Sequence, residues 1–439
     1  MNLPHLTLYD PETKSEGSID PLGLVPIADR LSVSLVPGVR ERMTRPRFLT
    51  LIAVGTSLSQ EFPGDTIAID GISPPIQVFE WYVVQALVRE FKGKGLSGLP
   101  GIEKASTVYG KGLPLNAARY LRVPSVFGFY GVYKRLANTI GVINGSILDE
   151  AGDRLVRVWE KEQNLEGFYS EKSGPGARFK EKFIRAIRDS IEDGQVARSW
   201  GWGFFGEIAE VMHPQRIGPQ ESEILYQTIY LDEEQKRSLL IDKLSVFVDE
   251  YDIDDEINEF HFHNYIKDRL TGEIHELIEA ILAYEKFSRT LLNSFESILY
   301  HLSINSNKGY PTDLISLPEV KFAASNIYIQ YHETLTRLVK VKEDTAFQET
   351  FGRFSEPANK ETFLELIFSH HHDVQKRKPP FGKKPWVNVY SKTWSLNPTY
   401  NRKRSLVSDD PNEYVYMYRT NSLLSFLKDL NKLNVQGVQ

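Results

Sequence analysis

The sequence predicts a mainly α-helical, multidomain protein. Apolar residues recur at helical spacing in segments along the 439-residue chain, and an aromatic content of 12% supplies large side chains for packed cores. Domains usually span about 100 to 200 residues, so two or three are expected. We expect an N-terminal helical region over residues 1–110, a winged-helix-like module over 111–170 and a C-terminal helical domain over 171–439.

Two helices are predicted early in the N-terminal region. The first ends at Pro37-Gly38, and its buried face is formed by apolar residues at helical spacing: Leu24, Ile27, Leu31 and Leu35. The second lies in "SPPIQVFEWYVVQALVREF" and begins at Pro75, because proline suits the first turn of a helix.

The predicted winged-helix-like module consists of a helix, a small β-hairpin and a second helix. The first helix carries one apolar stripe, with Lys134 and Arg135 on the opposite face: Val126, Phe129, Tyr133, Leu136 and Ile140. Asn144-Gly145 predicts the hairpin turn, and Asp149 is expected to cap the second helix. This order is found around the wing of a winged-helix unit, whose first helix would enter the DNA major groove. The alternative is a helical subdomain with a surface hairpin.

The C-terminal domain is predicted to contain a long core helix, "GEIHELIEAILAYEKFSRTLLNSFESILYHLS", with a wide apolar stripe. Further helices are predicted in "PEVKFAASNIYIQYHETLTRLVKVK" and "NKETFLELIFSHHHDVQ", and "YMYRTNSLLSFLKDLNKL" forms the last one.

Composition and motifs exclude several classes of function. Without cysteine the chain has no disulfide, thiolate metal site or cysteine nucleophile, which fits a cytoplasmic protein. No apolar stretch approaches the ~20 residues of a membrane helix, and the N-terminus is not expected to be a signal peptide. The G-x-G-x-x-G at Gly93, Gly95 and Gly98 follows a predicted helix rather than a strand, so no dinucleotide cofactor is expected. No complete catalytic motif is present.

An acidic segment at residues 232–259 is followed by His261, His263 and His275. The acidic and histidine residues of 249–275 could serve a metal-dependent nuclease, but they lack the spacing of a calcium loop or of a zincin helix. A solvated acidic surface is the simpler interpretation, and no metal site is predicted there. The triplet His370, His371 and His372 is also unsuited to one metal ion, because neighbours on a helix point about 100° apart.

The basic-aromatic segment, residues 374–404, is the main candidate for binding DNA or RNA. It contains nine Lys or Arg residues and no Asp or Glu, interleaved with aromatic residues. Basic side chains neutralise phosphates, and aromatic rings stack on unpaired bases. The alternative is a basic loop whose aromatic rings pack on the body of the protein. The predicted contact residues are Lys376, Arg377, Lys378, Lys383, Lys384, Trp386, Arg402, Lys403 and Arg404.

Two smaller basic groups are added to this prediction. Four arginines follow the Pro37-Gly38 stop, where they could face phosphate or an acidic partner surface: Arg40, Arg42, Arg45 and Arg47. Lys134 and Arg135 would contribute from the winged-helix-like module.

Four segments of the chain resemble an uncharacterised family of bacterial proteins encoded in phage-defence neighbourhoods. They are "LGLVPIADRLSVSLVPGVRERMTRPRFL", "FYGVYKRLANTIGVI" with "GDRLVRVWEKEQ", "HHHDVQKRKPPFGKKPW" and "YMYRTNSLLSFLKDL". The resemblance implies an antiviral system with several components, such as a helicase or a nuclease, and it transfers no active site.

The sequence therefore favours a non-catalytic, nucleic-acid-contacting subunit of an antiphage defence complex, with no membrane association. A metal-dependent nuclease and a purely protein-binding structural adaptor are the alternatives.

Overall fold

The structure is a computed structural model of the chain. It describes residues 20–121, 128–169, 173–232, 234–253, 256–379, 381–390, 393–404, 406–407, 410 and 412–433. Helices make up 62% of the described residues, which confirms the prediction of a mainly α fold. Val126, which was assigned to the apolar stripe of the predicted module, lies outside the described residues.

Eighteen helices lie within the described part of the chain. In chain order they are α1 (Val25–Leu35), α2 (Arg47–Ser59), α3 (Pro75–Phe91), α4 (Ile102–Gly110), α5 (Ala117–Tyr120), α6 (Phe129–Thr139), α7 (Glu150–Glu162), α8 (Pro175–Asp193), α9 (Phe204–Val211), α10 (Pro219–Tyr230), α11 (Lys236–Tyr251), α12 (Glu259–Lys267), α13 (Glu273–Ile304), α14 (Pro311–Leu314), α15 (Pro318–Lys340), α16 (Asp344–Phe351), α17 (Lys360–Arg377) and α18 (Thr420–Asp429). The strands are β1 (Ile143–Asn144), β2 (Ile147–Leu148), β3 (Lys308–Gly309), β4 (Val387–Tyr390) and β5 (Thr393–Leu396).

The chain forms two compact units, and each combines separate stretches of sequence. The first unit comprises Met1–Leu35 with Ile257–Tyr418, and the second comprises Val36–Glu256 with Arg419–Gln439. This division differs from the three consecutive regions expected from the sequence, because segments that are distant along the chain pack together in both units.

The first unit is organised around the long helix α13, which pairs with α15 in antiparallel orientation. Lys340 Nζ lies 2.8 Å from the Glu276 carboxylate near the start of α13, and Lys286 Nζ lies 3.1 Å from Glu333 further along it. Between these two ion pairs, the Thr334 hydroxyl donates to the Ala283 carbonyl at 3.1 Å. Together these contacts fix the register of the two helices.

A three-stranded antiparallel sheet in the order β3-β5-β4 completes the first unit. Two of its strands lie in the basic-aromatic segment, for which no strand was predicted. Lys308 pairs with Ser395 and Gly309 with Trp394, so the segment is held by residues far earlier in the chain.

The second unit contains the helix, hairpin and helix predicted over residues 111–170, as α6, β1-β2 and α7. The Asp149 carboxylate accepts from the Glu150 N–H at 2.8 Å, which confirms the predicted N-cap. The predicted turn is one residue off, because Asn144 pairs with Ile147 and the turn residues are Gly145 and Ser146. Gly145 provides the positive φ, at +65°.

None of the helices in the described residues is both long enough and apolar enough to cross a membrane.

Candidate nucleic-acid interface

The basic-aromatic segment begins on the last turn of α17 and then folds back over the end of that helix. The Gly382 N–H donates to the Lys378 carbonyl at 2.7 Å, and the Lys383 N–H donates to the Gln375 carbonyl at 2.8 Å. Gly382 adopts a φ of +81°, which glycine reaches without steric cost. These bonds satisfy carbonyls that a helix end leaves open, so the loop is fixed to the helix.

Phe381 is an almost fully exposed aromatic residue of this segment, with 97% of its surface accessible to solvent. It lies in the turn that follows α17, and the backbone hydrogen bonds of Gly382 and Lys383 hold this turn in place. Phe381 was not among the contact residues predicted from the sequence. Nothing in the sequence distinguishes it from Trp386 and Trp394, which are buried.

Four of the predicted basic residues lie exposed around this ring. They are Lys376 and Arg377 on the last turn of α17, and Lys383 and Lys384 after the turn. We call residues 376–384 the Phe381 loop. The nearest preceding acid, Asp373, is held by Arg353 at 2.7 Å. Cations on the last turn of a helix also interact favourably with its dipole, but this does not account for Lys383 and Lys384, which lie beyond the helix.

Lys378 is directed away from this surface. Its Nζ donates to the Asp20 carbonyl at 2.6 Å, and burial lowers the pKa of the lysine even though the Asp20 carboxylate favours its charged form. The prediction that Lys378 contacts phosphate is therefore corrected, because its ammonium group helps to hold the start of the described chain against α17.

Trp386 is also a core residue, with only 3% of its surface exposed. Its ring stacks on Tyr400 with centroids 4.4 Å apart and an angle of 10°, and the Arg402 guanidinium lies 5.1 Å from its centroid. Arg402 in turn pairs with Glu296. Because both residues are held in these contacts, their predicted role in binding nucleic acid is replaced by a structural one.

Lys403 and Arg404 follow Arg402 and are exposed. They belong to the same unit as the Phe381 loop and add to its exposed cations.

The histidine triplet on α17 is mainly structural. His370 Nε2 lies 2.7 Å from the Leu22 carbonyl, and His371 Nδ1 lies 2.9 Å from the Pro21 carbonyl. Burial lowers the pKa of both rings to about 4, so they are neutral at physiological pH. His372 is exposed.

The four arginines predicted to face phosphate lie in the second unit and do not form one basic surface: Arg40, Arg42, Arg45 and Arg47. Arg47 is fully buried, and its Nε lies 3.1 Å from the Glu221 carboxylate. Arg45 pairs with Asp429, and its Nη2 donates to the Ser97 hydroxyl at 2.8 Å. Arg47 is therefore removed from the predicted interface, because a buried, paired guanidinium cannot reach a phosphate.

The remaining cations of the predicted interface in the second unit are more accessible. Arg42 is exposed and Arg40 is partly buried. On α6, Lys134 is exposed with its Nζ 5.4 Å from the Tyr130 ring, and Arg135 is partly exposed.

The histidines considered for a nuclease have other contacts. His263 is buried with its Nδ1 2.9 Å from the Tyr414 hydroxyl, and burial lowers its pKa to about 3. His275 Nδ1 lies 2.7 Å from the Lys267 carbonyl. Within the described ranges, no three side chains of the metal-binding types come together as a cation site.

A second feature, which the sequence analysis missed, is a cleft of about 820 Å³ in the first unit. It lies between α12, α13 and α15, and we call it the interhelical cleft. Glu285 lies in its wall and accepts from the Val415 N–H at 2.6 Å and the Tyr418 hydroxyl at 2.7 Å. Burial raises the pKa of Glu285 to about 7, although these donors act in the opposite direction. Polar residues at helical spacing on α13 are the only trace of the cleft in the sequence.

Comparison with protein-family models, curated proteins and solved structures gives no significant match for this chain.

Proposed function

We propose that this protein binds nucleic acid through the Phe381 loop. The observation that carries the proposal is the nearly complete exposure of Phe381 between pairs of exposed cations, at the tip of a loop that two backbone hydrogen bonds hold in place. A single exposed apolar residue is common on protein surfaces. An anchored aromatic ring among four basic side chains is the arrangement that stacks on a base while phosphates are neutralised beside it.

Single-stranded nucleic acid is the preferred ligand in this proposal. Stacking on Phe381 requires an unpaired base, since the faces of paired bases are covered by their neighbours in a duplex. Lys403 and Arg404 would extend the contact along the phosphate backbone. The ring carries no hydrogen-bonding group, so little sequence preference is expected.

The second unit supports a further part of the proposal. The succession of α6, hairpin and α7 has the order of a winged-helix-like module, and Lys134 projects from the exposed face of α6. We propose that Lys134 and Arg135 contact phosphate from this module. We also propose that the protein acts as a non-catalytic, cytoplasmic subunit of an antiphage defence complex that includes a helicase or a nuclease. The family resemblance described above is the support for that placement.

The test is a binding titration with fluorescent single-stranded DNA, single-stranded RNA and duplex DNA at several salt concentrations. We expect affinity for single strands to fall as salt rises, with a log–log slope of about 0.7 to 0.9 for each neutralised phosphate. Changing Lys376, Arg377, Lys383 and Lys384 to Ala should weaken binding and flatten the slope.

Four exposed lysines elsewhere in the first unit provide a matched control: Lys308, Lys321, Lys342 and Lys360. Their replacement by Ala removes the same formal charge and should leave most of the affinity intact. Equal losses of affinity in the two variants would show that binding depends on the net charge of the protein and not on the Phe381 loop. A wild-type protein without salt-dependent binding would overturn the proposal and favour the structural adaptor.

A further inference from the structure

The interhelical cleft contains a buried amide oxygen for which the protein provides no donor. Gln330, on α15, lines the cleft and is only 4% exposed. Its Oε1 is buried and has no hydrogen-bond partner among the described residues. Buried polar atoms are nearly always paired, because leaving one unpaired forfeits its hydration without compensation. A ligand that donates a hydrogen bond would satisfy this atom.

A buried cationic nitrogen lies in the same cleft. Arg289 Nη2, on α13, also has no hydrogen-bond partner in the described part of the chain. The antiparallel pairing of α13 with α15 places residue 330 within about one helical turn of residue 289 along the cleft, since Lys286 lies opposite Glu333. An unpaired acceptor and an unpaired donor therefore occur at the same level of one cavity.

Two other cations in the wall of the cleft, both on these helices, are already held by carboxylates. Lys286 pairs with Glu333 at 3.1 Å, and Arg337 pairs with Glu279 at 2.9 Å. Among the described residues Arg289 makes no such ion pair: Glu285, the acid closest to it in sequence, attracts it electrostatically but takes its hydrogen bonds from residues 415, 416 and 418. Arg289 is thus a cation in the wall of the cleft with a buried N–H that can still donate to an incoming anion.

Three aromatic rings contribute to the apolar part of the cleft. Phe260 and Tyr414 meet edge to face with centroids 5.8 Å apart, and Phe322 remains 55% exposed. Flat rings in a cavity wall favour a flat ligand, which buries the most apolar area against them. A cleft of about 820 Å³ can hold a ligand the size of a nucleotide.

We infer that the interhelical cleft binds a nucleotide, with a ring N–H donating to Gln330 Oε1, the phosphate accepting from Arg289 and the base lying against the aromatic side chains. The combination of a flat ring, an N–H donor and an anionic group is what selects this class of ligand. The inference does not depend on the Phe381 loop, which contributes no residue to the lining of the cleft. The nucleotide could be free or could be the phosphorylated end of a strand.

Isothermal titration calorimetry with the common nucleoside monophosphates, and with a short 5′-phosphorylated oligonucleotide, tests the inference. We expect saturable binding of at least one probe, and we expect Gln330→Leu and Arg289→Met each to weaken it about tenfold or more. Gln330→Leu should not lower the melting temperature of the ligand-free protein, because it removes an unpaired buried atom. Gln348→Leu changes an exposed glutamine on α16 and should alter neither property.

The results separate the two sources of ligand. Saturable binding of a monophosphate that depends on Gln330 supports a free nucleotide, whereas binding of only the phosphorylated oligonucleotide supports a strand end. The inference is overturned if no probe binds, if Gln330→Leu binds as the wild type does, or if Gln330→Leu is markedly less stable. Alanine replacements in the Phe381 loop should leave monophosphate binding unchanged. A loss of nucleotide binding in the cleft can therefore be distinguished from a loss of nucleic-acid binding at the Phe381 loop.

Discussion

The backbone N–H of Trp386 donates to Nε2 of His371 over 3.0 Å. Because Nε2 accepts this bond, the ring proton must lie on Nδ1, which faces the Pro21 carbonyl at 2.9 Å. One neutral imidazole thus connects the start of the described chain, the end of α17 and the strand that follows the Phe381 loop. His371 therefore has a structural role, because it holds these three segments together.

The contribution of His371 to the stability of the protein should depend on pH. In the unfolded chain His371 binds a proton below about pH 6.5, whereas the folded ring stays neutral down to about pH 4. The unfolded state therefore binds more protons in this window, and stability is lost as pH falls through it, by up to about 1.4 kcal/mol per pH unit. At neutral pH we expect His371→Gln to lower the free energy of unfolding by about 1 to 3 kcal/mol. Because the wild type alone loses stability as pH falls, the difference in unfolding free energy between the two proteins should narrow toward pH 4.

Urea unfolding at several pH values measures this difference. The neighbouring His372 is exposed, so His372→Gln serves as the control and should follow the wild-type profile. If the difference in unfolding free energy between wild type and His371→Gln stayed constant between about pH 4 and pH 6.5, the assignment of a neutral buried ring would be contradicted.

Arg47 and Glu221 form a fully buried ion pair in the second unit, and breaking it should be costly. Arg47→Met leaves a carboxylate whose pKa burial already raises, without its main compensating charge. We expect a loss of about 3 to 5 kcal/mol in chemical unfolding, with part of it recovered in the double variant Arg47→Met/Glu221→Leu. Arg42→Met, at an exposed position, should change stability by less than about 0.5 kcal/mol. Similar effects of Arg47→Met and Arg42→Met would show that the pair contributes little.

The contrast between these two arginines shows where sequence reasoning succeeds and where it fails. The helix α13 was predicted to within a residue or two, because its apolar period is a local signal. The burial of Arg47 depends on Glu221, 174 residues later, and the sheet of β4 and β5 depends on β3. Neither partner can be identified from the local pattern. For the same reason the basic-aromatic segment was recognised as a whole, but its exposed ring was not distinguished from its buried ones.

That distinction predicts opposite effects for two aromatic residues. Trp386→Ala removes a ring packed between Tyr400 and Arg402 and should cost about 3 to 5 kcal/mol of stability. Phe381→Ala should leave the melting temperature unchanged and weaken binding of single-stranded DNA by about 1 to 3 kcal/mol. Thermal melting and a fluorescence anisotropy titration on the same two variants separate the effects. A Phe381→Ala protein with full affinity would remove the ring from the proposed interface.

The final prediction concerns the turn that presents this ring. A methyl group on Gly382 would lie 2.9 Å from the Lys376 carbonyl oxygen, and the residue has a φ of +81°, so Gly382→Ala must shift the backbone. We expect a loss of about 1 to 2 kcal/mol in stability and weaker binding of single strands, because Phe381 and Lys383 would no longer be held in place. Gly352→Ala is the control, since its added methyl meets no atom within 4 Å and its φ is −54°. If Phe381→Ala weakens binding of single strands while Gly382→Ala does not, the ring contributes to binding but the conformation of the turn does not.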